Sequence, residues 1–268
     1  VLVDVIPAKR RGEGLGYYGL SMTIGMALGP YLGLILMGDR HFDRLFFTGM
    51  VLALSGFVLA SMVKYQNFTT RKTSFSYKNM FEPLSFPLSL AMMLVMISYG
   101  GLMAFISLFT REYQSGNAGQ FFILFALGLT VSRVLGGKIF DRRGPAKAMA
   151  PSFFFLVIGF PLLAYSNNSF EMNLSSFILG IGYGLIFPIL QAMVNNLATT
   201  ESRGAANSTL FTALDIGIGI GSLFLGWLSE CIGMKAAFAL TFLSPLIGGI
   251  LFFWHALPHY RKNHNKHF

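Results

Sequence analysis

Eight stretches of this chain, at 16–37, 45–63, 88–109, 119–136, 146–165, 174–194, 206–228 and 234–254, are apolar on every face for about the length of a membrane crossing. A helix needs ~20 residues to cross a hydrocarbon layer ~30 Å thick. The other spanning structure, a closed barrel, needs shorter segments that alternate apolar and polar residues. With no water to pair the backbone inside a bilayer, uniformly apolar runs are predicted to be helices. Only 12% of the residues are charged and 54% are hydrophobic, against about 25% charged in a soluble domain. One soluble core cannot hide so much apolar surface. The expected fold class is therefore all-α and polytopic in a membrane. The fourth stretch is the shortest and carries Arg133 near its end.

Eight spans place successive connecting segments on alternate sides. Of the 20 lysines and arginines, only Arg40, Arg44, Arg111 and Lys235 fall on one side; the other side takes Lys9 to Arg11, Lys64, Arg71, Lys72, Lys78, Arg133, Lys138, Arg142, Arg143, Lys147, Arg203, Arg261, Lys262 and Lys266. Such asymmetry marks the cytoplasmic side. It predicts a multi-pass protein of the plasma (inner) membrane with both ends of the chain and the long 64–87 loop in the cytoplasm. The net charge of +9 is then a set of topology determinants with some attraction for anionic lipid. Nucleic acid is a poor partner, since no basic domain stands apart from the spans.

Two segments 192 positions apart echo one another. Arg11-Gly12 matches Arg203-Gly204, Ile24 matches Ile216, Gly25 matches Gly217 and Gly29 matches Gly221. Each begins at a charged turn and runs into a glycine-studded span, which predicts two related halves. The first copy starts almost at residue 1, so the first half is expected to be incomplete in this chain.

The first span carries Gly16, Gly25, Gly29, Pro30 and Gly33. Small residues at fourth positions let two helix backbones approach, and a proline inside a helix removes one hydrogen bond and permits a kink. Generic helix packing accounts for any one such pair. The complete string resembles the antiporter signature on the fifth of twelve helices in the major facilitator superfamily, and the preceding Asp4 to Gly12 resembles that family's loop between helices four and five. Between the fourth and fifth spans, Gly136-Gly137-Lys138-Ile139-Phe140-Asp141-Arg142-Arg143-Gly144 is similar to the family's cytoplasmic Gly-x-x-x-Asp-Arg-x-Gly signature, in its weaker copy between helices eight and nine.

The resemblance covers essentially the whole chain and implies helices five to twelve of a twelve-helix, two-bundle transporter. Its divisions would be 1–63 (the end of the first bundle), 64–87 (the central loop), 88–256 (the second bundle) and 257–268 (a basic tail). Helices one to four would be absent. It implies a secondary transporter exporting a small organic molecule, with proton antiport by alternating access. The alternatives are a narrow-specificity sugar or metabolite exporter and a truncated, non-transporting remnant or subunit. The expected partners are membrane lipid, a small-molecule substrate and the proton. No cofactor is expected. No Gly-x-x-x-x-Gly-Lys-Ser/Thr phosphate loop occurs, and no intramembrane nucleophile–base pair or metal-ligand cluster suggests an enzyme. A single cysteine, Cys231, leaves no internal disulfide.

Individual residues sharpen these expectations. Gly137, Asp141, Arg142 and Gly144, with Arg133 joined to them, form the candidate cytoplasmic gate; a solvated basic loop is the plainer account. Asp215 lies ~15 Å into the seventh span at 1.5 Å per residue, where an ionised group needs a partner, water or a proton. It is a proton-coupling carboxylate, a polar group at the interface between halves, or a contact for a cationic substrate. Thr23 stands at the matching position of the first copy. By resemblance the third and sixth spans line the central cavity, which makes Tyr99, Phe105, Tyr183 and Gln191 the candidate substrate contacts, with Ser98 and Asn195 nearby. Gly180, Gly182, Gly184 and Pro188 predict a discontinuous sixth helix with exposed backbone groups. Such sparse intramembrane charge suits a neutral or cationic amphiphile.

Overall fold

The computed structural model describes residues 25, 28–38, 42–62, 81–113, 116–199 and 202–264, without the side chains of 135–139 and 141–142. Gly16, Thr23, Ile24 and most of the 64–87 loop lie outside the described residues. Eight helices run through what is described: α1 (Leu28–Met37), α2 (Phe42–Ser61), α3 (Phe86–Tyr113), α4 (118–143), α5 (145–164), α6 (Ser169–Leu197), α7 (Arg203–Ile232) and α8 (Met234–His264). There is no strand among them. Six stretches are long and apolar enough to cross a membrane, while Leu28–Met37 and Ala118–Val134 are shorter apolar helices. Each expected span has its helix.

The chain reverses through local chemistry. Asn117 caps α4 by accepting from the Gly119 and Gln120 amides at 2.7 and 3.4 Å. Asn168 caps α6 through the Glu171 amide at 2.9 Å, and the Glu171 carboxylate reaches back to the Asn167 amide at 2.7 Å. Each pairing satisfies amides that a helix start leaves open. Between α4 and α5 the helical path breaks at Gly144, whose φ of 77° and ψ of 174° fall in a region populated almost only by glycine. Pro145 follows, with no N–H to leave unpaired at the first helical position. A β-carbon at Gly144 would meet nothing within 4 Å, so Gly144→Ala carries a backbone cost alone. A loss of about 1–3 kcal/mol is expected from thermal melting in detergent, and an unshifted melting temperature would exclude this strain.

Helices α3 to α8 enclose the buried core, which includes Leu88, Met92, Phe109, Phe121, Phe160, Leu190, Phe238 and Phe252. Two close pairs organise it. Gly100 and Gly101 of α3 lie against the Ile218 and Gly221 backbone of α7, while Gly217 and Gly221 lie against Met93 and Ile97 of α3. Gly128 of α4 likewise meets Gly180 and Ile181 of α6, and Gly184 meets Leu129 and Ser132. Without side chains between them, these backbones approach closely, which is how membrane helices gain attraction when lipid is as apolar as the protein. Helix α8 closes the bundle: Gly248 packs on Val95 of α3, Gly249 on Phe153 of α5, and the Ser244 hydroxyl donates to the Leu94 carbonyl.

Of the first two helices, α1 rests on the core through Leu34, while α2 stands open. Tyr31 of α1 touches Gly119 at the start of α4, and Leu45 of α2 touches Gly33. No residue of α2 is buried, and Phe46, Phe47, Phe57 and Leu59 stand open.

Candidate functional site

Three helices meet near the middle of the bundle. Tyr99 lies halfway along the 28-residue α3 and Tyr183 halfway along the 29-residue α6, with Phe125 of α4 beside both. Ser98, with no exposed surface, donates its hydroxyl proton to the Val95 carbonyl at 2.6 Å. A serine has one proton to give, so in the 2.7 Å contact with Tyr183 the phenol is the donor and Ser98 the acceptor. Tyr183 is only 4% exposed, and this bond gives its buried hydroxyl a partner.

The Tyr99 ring meets Tyr183 edge-on at 5.1 Å and lies 6.3 Å from Phe125, which is 5.9 Å from Tyr183. Such rings attract through their quadrupoles as well as by burial. Tyr99 is partly buried and is the least buried of the three.

The sixth span is one continuous helix from Ser169 to Leu197, not the discontinuous one expected. Gly180, Gly182 and Gly184 serve close packing: a β-carbon on Gly180 would collide with the Phe125 carbonyl of α4, and one on Gly182 would lie 2.6 Å from Leu156 of α5. The backbone hydrogen bonds survive because neighbouring helices fill the space the missing side chains leave.

One backbone group is nevertheless freed. Pro188 has no N–H, so the Gly184 carbonyl four residues earlier loses its helical donor. Arg133 of α4 supplies one, with its Nε–H reaching that carbonyl at 3.3 Å. Its half-buried guanidinium therefore bridges α4 to α6 beside the aromatic cluster. The sequence placed Arg133 with the Asp141 group, whose surroundings lie outside the described residues; the described contact of its Nε–H is with the helix carrying Tyr183. The signal was present, since a proline in an apolar span announces an orphaned carbonyl four residues back.

The remaining candidates separate. Phe105 packs over Gly226 of α7, where a β-carbon would come 2.9 Å from the ring. Gln191 joins a polar knot nearer the Arg203 end of α7: its amide donates to Asn207 at 3.4 Å, Asn207 donates to Asn195 at 2.7 Å, and Asn195 donates to the Gln191 carbonyl at 2.9 Å. Phe125 and Asn207, which the sequence reading passed over, are thus members of the two interhelical clusters. Asp215 is exposed, about 200° around α7 from Gly217 at 100° per residue, and so points away from α3. Gly25 and Gly29 are exposed with open space beside them, Pro30 is half-buried, and Gly33 borders Leu45. Gly144 breaks the helix as described; the surroundings of Gly137, Asp141 and Arg142 lie outside the described residues.

Comparison with known proteins follows the same lines. The sequence pattern of the Major Facilitator Superfamily matches residues 88–267. The chain is similar to the multidrug resistance protein MdtG of Escherichia fergusonii, 24% identical over 98% of this chain and 67% of that protein. MdtG of Serratia proteamaculans is also 24% identical, over 95% of this chain and 65% of the relative. The chain thus spans about two thirds of the length of the curated relatives it matches. Among solved structures, the human organic anion transporter MFSD10 (TETRAN) superposes with a TM-score of 0.67 at 18% identity, over 93% of this chain and 65% of its own. A bacterial homolog of the human lysosomal transporter Spinster, inward-facing and unoccupied, superposes with a TM-score of 0.70 at 14% identity, over 98% and 74%.

Proposed function

Since this chain belongs to the major facilitator superfamily, we propose that it exports small amphiphilic organic molecules across the plasma membrane in exchange for protons. The observation that carries this reading is the mid-bundle junction of Ser98, Tyr99, Phe125 and Tyr183 with Arg133 held on Gly184. An aromatic wall with a few convergent polar groups, on helices from one bundle, suits a bound molecule with an apolar body and one hydrogen-bonding group. The resemblance to proteins named for multidrug resistance agrees with such a cargo.

Alternating access supplies the mechanism: two bundles rock about a site near the bilayer midplane, opening it to one side at a time. In this reading the basic end, with Arg143, Lys147, Arg203 and Arg261, faces the cytoplasm. The cytoplasmic gate is the Gly137–Gly144 segment, where Gly144 allows the tight turn and Asp141 with Arg142 supplies charges that pair when that side is closed. Gly25, with the Gly29, Pro30 and Gly33 of α1, marks the surface on which the bundles close. Asp215, exposed on α7 and turned away from α3, is the proton-coupling carboxylate. An ionised group within a bilayer needs a partner, water or a proton, and that requirement can bias one arrangement over another.

The test is transport by the complete gene product in inverted membrane vesicles. A proton gradient is expected to drive uptake of a fluorescent amphiphile, and collapsing the gradient should stop it. The Asp215→Asn variant should lose gradient-driven accumulation while still exchanging labelled for unlabelled cargo. Accumulation indifferent to the gradient would refute antiport; intact coupling in Asp215→Asn would remove that residue from the proton path.

A further inference from the structure

The last helix carries a second ordered surface that the transport cycle does not use. Counted from Met234, α8 has 31 residues. At 1.5 Å per residue it is ~46 Å long, so it exceeds the ~30 Å hydrocarbon layer and must continue through a headgroup layer. Its outward stripe changes character along that path. Leu240, Leu243, Ile247 and Ile250 are exposed and apolar, Trp254 is 82% exposed, and Pro258, Arg261 and Lys262 follow on the same face. One turn of π-helix at Phe252–Ala256 takes up an extra residue, so the stripe stays in register and His255 joins Trp254 on it.

The order apolar, aromatic, basic matches the order of layers in one leaflet. A tryptophan favours the interface, with its ring against the acyl chains and its N–H in the wet zone. Arg261 and Lys262 lie ~10 Å beyond it along the helix axis, at the depth of lipid phosphates. Neither makes an ion pair with a described residue, and both side chains are exposed.

We propose that this face binds the headgroup of an anionic phospholipid, with Trp254 packed along the acyl chains and Arg261 and Lys262 on the phosphate. A negative headgroup complements the paired cations, whereas a zwitterionic one offsets them with its own positive charge. The inner face of the same turns gives the lipid something to act on. Tyr260 is buried and accepts from the Asn196 amide of α6 at 3.2 Å, and His259 donates from Nε2 to the Leu84 carbonyl, just before α3, at 3.1 Å. A lipid holding the outer face therefore braces the segment that fastens the ends of α3 and α6, the two helices carrying Tyr99 and Tyr183.

The chain has two tryptophans, so a Trp227→Phe background leaves Trp254 as the sole indole emitter in this chain. The protein in vesicles of phosphatidylcholine is titrated with acyl-brominated phosphatidylglycerol or acyl-brominated phosphatidylcholine. Trp254 is expected to be quenched at roughly tenfold lower mole fraction of the anionic lipid, and Arg261→Gln with Lys262→Gln should erase that preference without changing the melting temperature. Equal quenching by both lipids, or a preference that survives the double substitution, overturns the site. Competition by added inorganic phosphate would overturn its assignment to lipid.

Discussion

Replacing Gly221 with leucine is expected to leave little folded protein in the membrane. A β-carbon there would overlap the Ile97 carbonyl oxygen and come within 2.7 Å of its carbon. Those are backbone atoms of α3, so no rotamer change relieves the clash; the two helices must part. Overpacking with flexible neighbours costs about 1–3 kcal/mol. Prising apart a glycine-lined pair also forfeits contacts at Gly100, Gly101 and Gly217, so the loss should exceed about 3 kcal/mol, a large share of the ~5–15 kcal/mol that holds a typical domain. Leu223→Phe, two residues away on the exposed face, adds bulk without a contact and should shift stability by less than ~0.5 kcal/mol. Thermal melting of the detergent-purified variants checks both, and comparable losses would show that close backbone approach is not what joins α3 to α7.

The second large effect is expected at Arg133. Arg133→Gln removes the Nε donor from the Gly184 carbonyl, which Pro188 has already deprived of its helical partner. An unsatisfied buried carbonyl costs about 1–3 kcal/mol. Because Gly184 adjoins Tyr183, the disturbance falls on the proposed cargo site, and transport should drop by roughly tenfold or more. The decisive comparison is the Pro188→Ala background, in which residue 188 regains an N–H for that carbonyl. There Arg133→Gln should cost at least about 1 kcal/mol less, a coupling that a double-mutant cycle measures directly. Equal losses in the two backgrounds would mean that Arg133 does not act through the carbonyl.

Much of this architecture was legible in the residues. Continuous apolar runs announce helices because the backbone has no other way to pair itself in lipid; among the described residues each run carries a helix, six of them long and apolar enough to cross a membrane. Asn117 and Asn168 stand where the chain turns, as helix caps must. The candidate site was only partly legible. Tyr99 and Tyr183 were chosen from their places in the helix order, and they do meet. Phe105 and Gln191 had the same credentials, yet one packs over Gly226 and the other joins Asn195 and Asn207. Position along a helix sets depth, whereas the direction a side chain takes depends on which neighbour is nearest. Arg133 shows this most plainly: its Nε–H reaches a carbonyl 51 residues away along the chain.

The sequence by itself determined that the chain is helical, which apolar runs its helices occupy, and which end is basic, because these follow from local hydrophobicity, backbone pairing and charge. Only the tertiary structure decided that the glycines of α7 serve α3, that those of α6 serve α4 and α5, that Arg133 replaces the donor Pro188 lacks, and that the end of α8 grips α3 and α6 with one face while leaving two cations on the other. A glycine or an arginine is a permission or a reach, and it acquires a meaning only when distant segments are brought within a few ångströms.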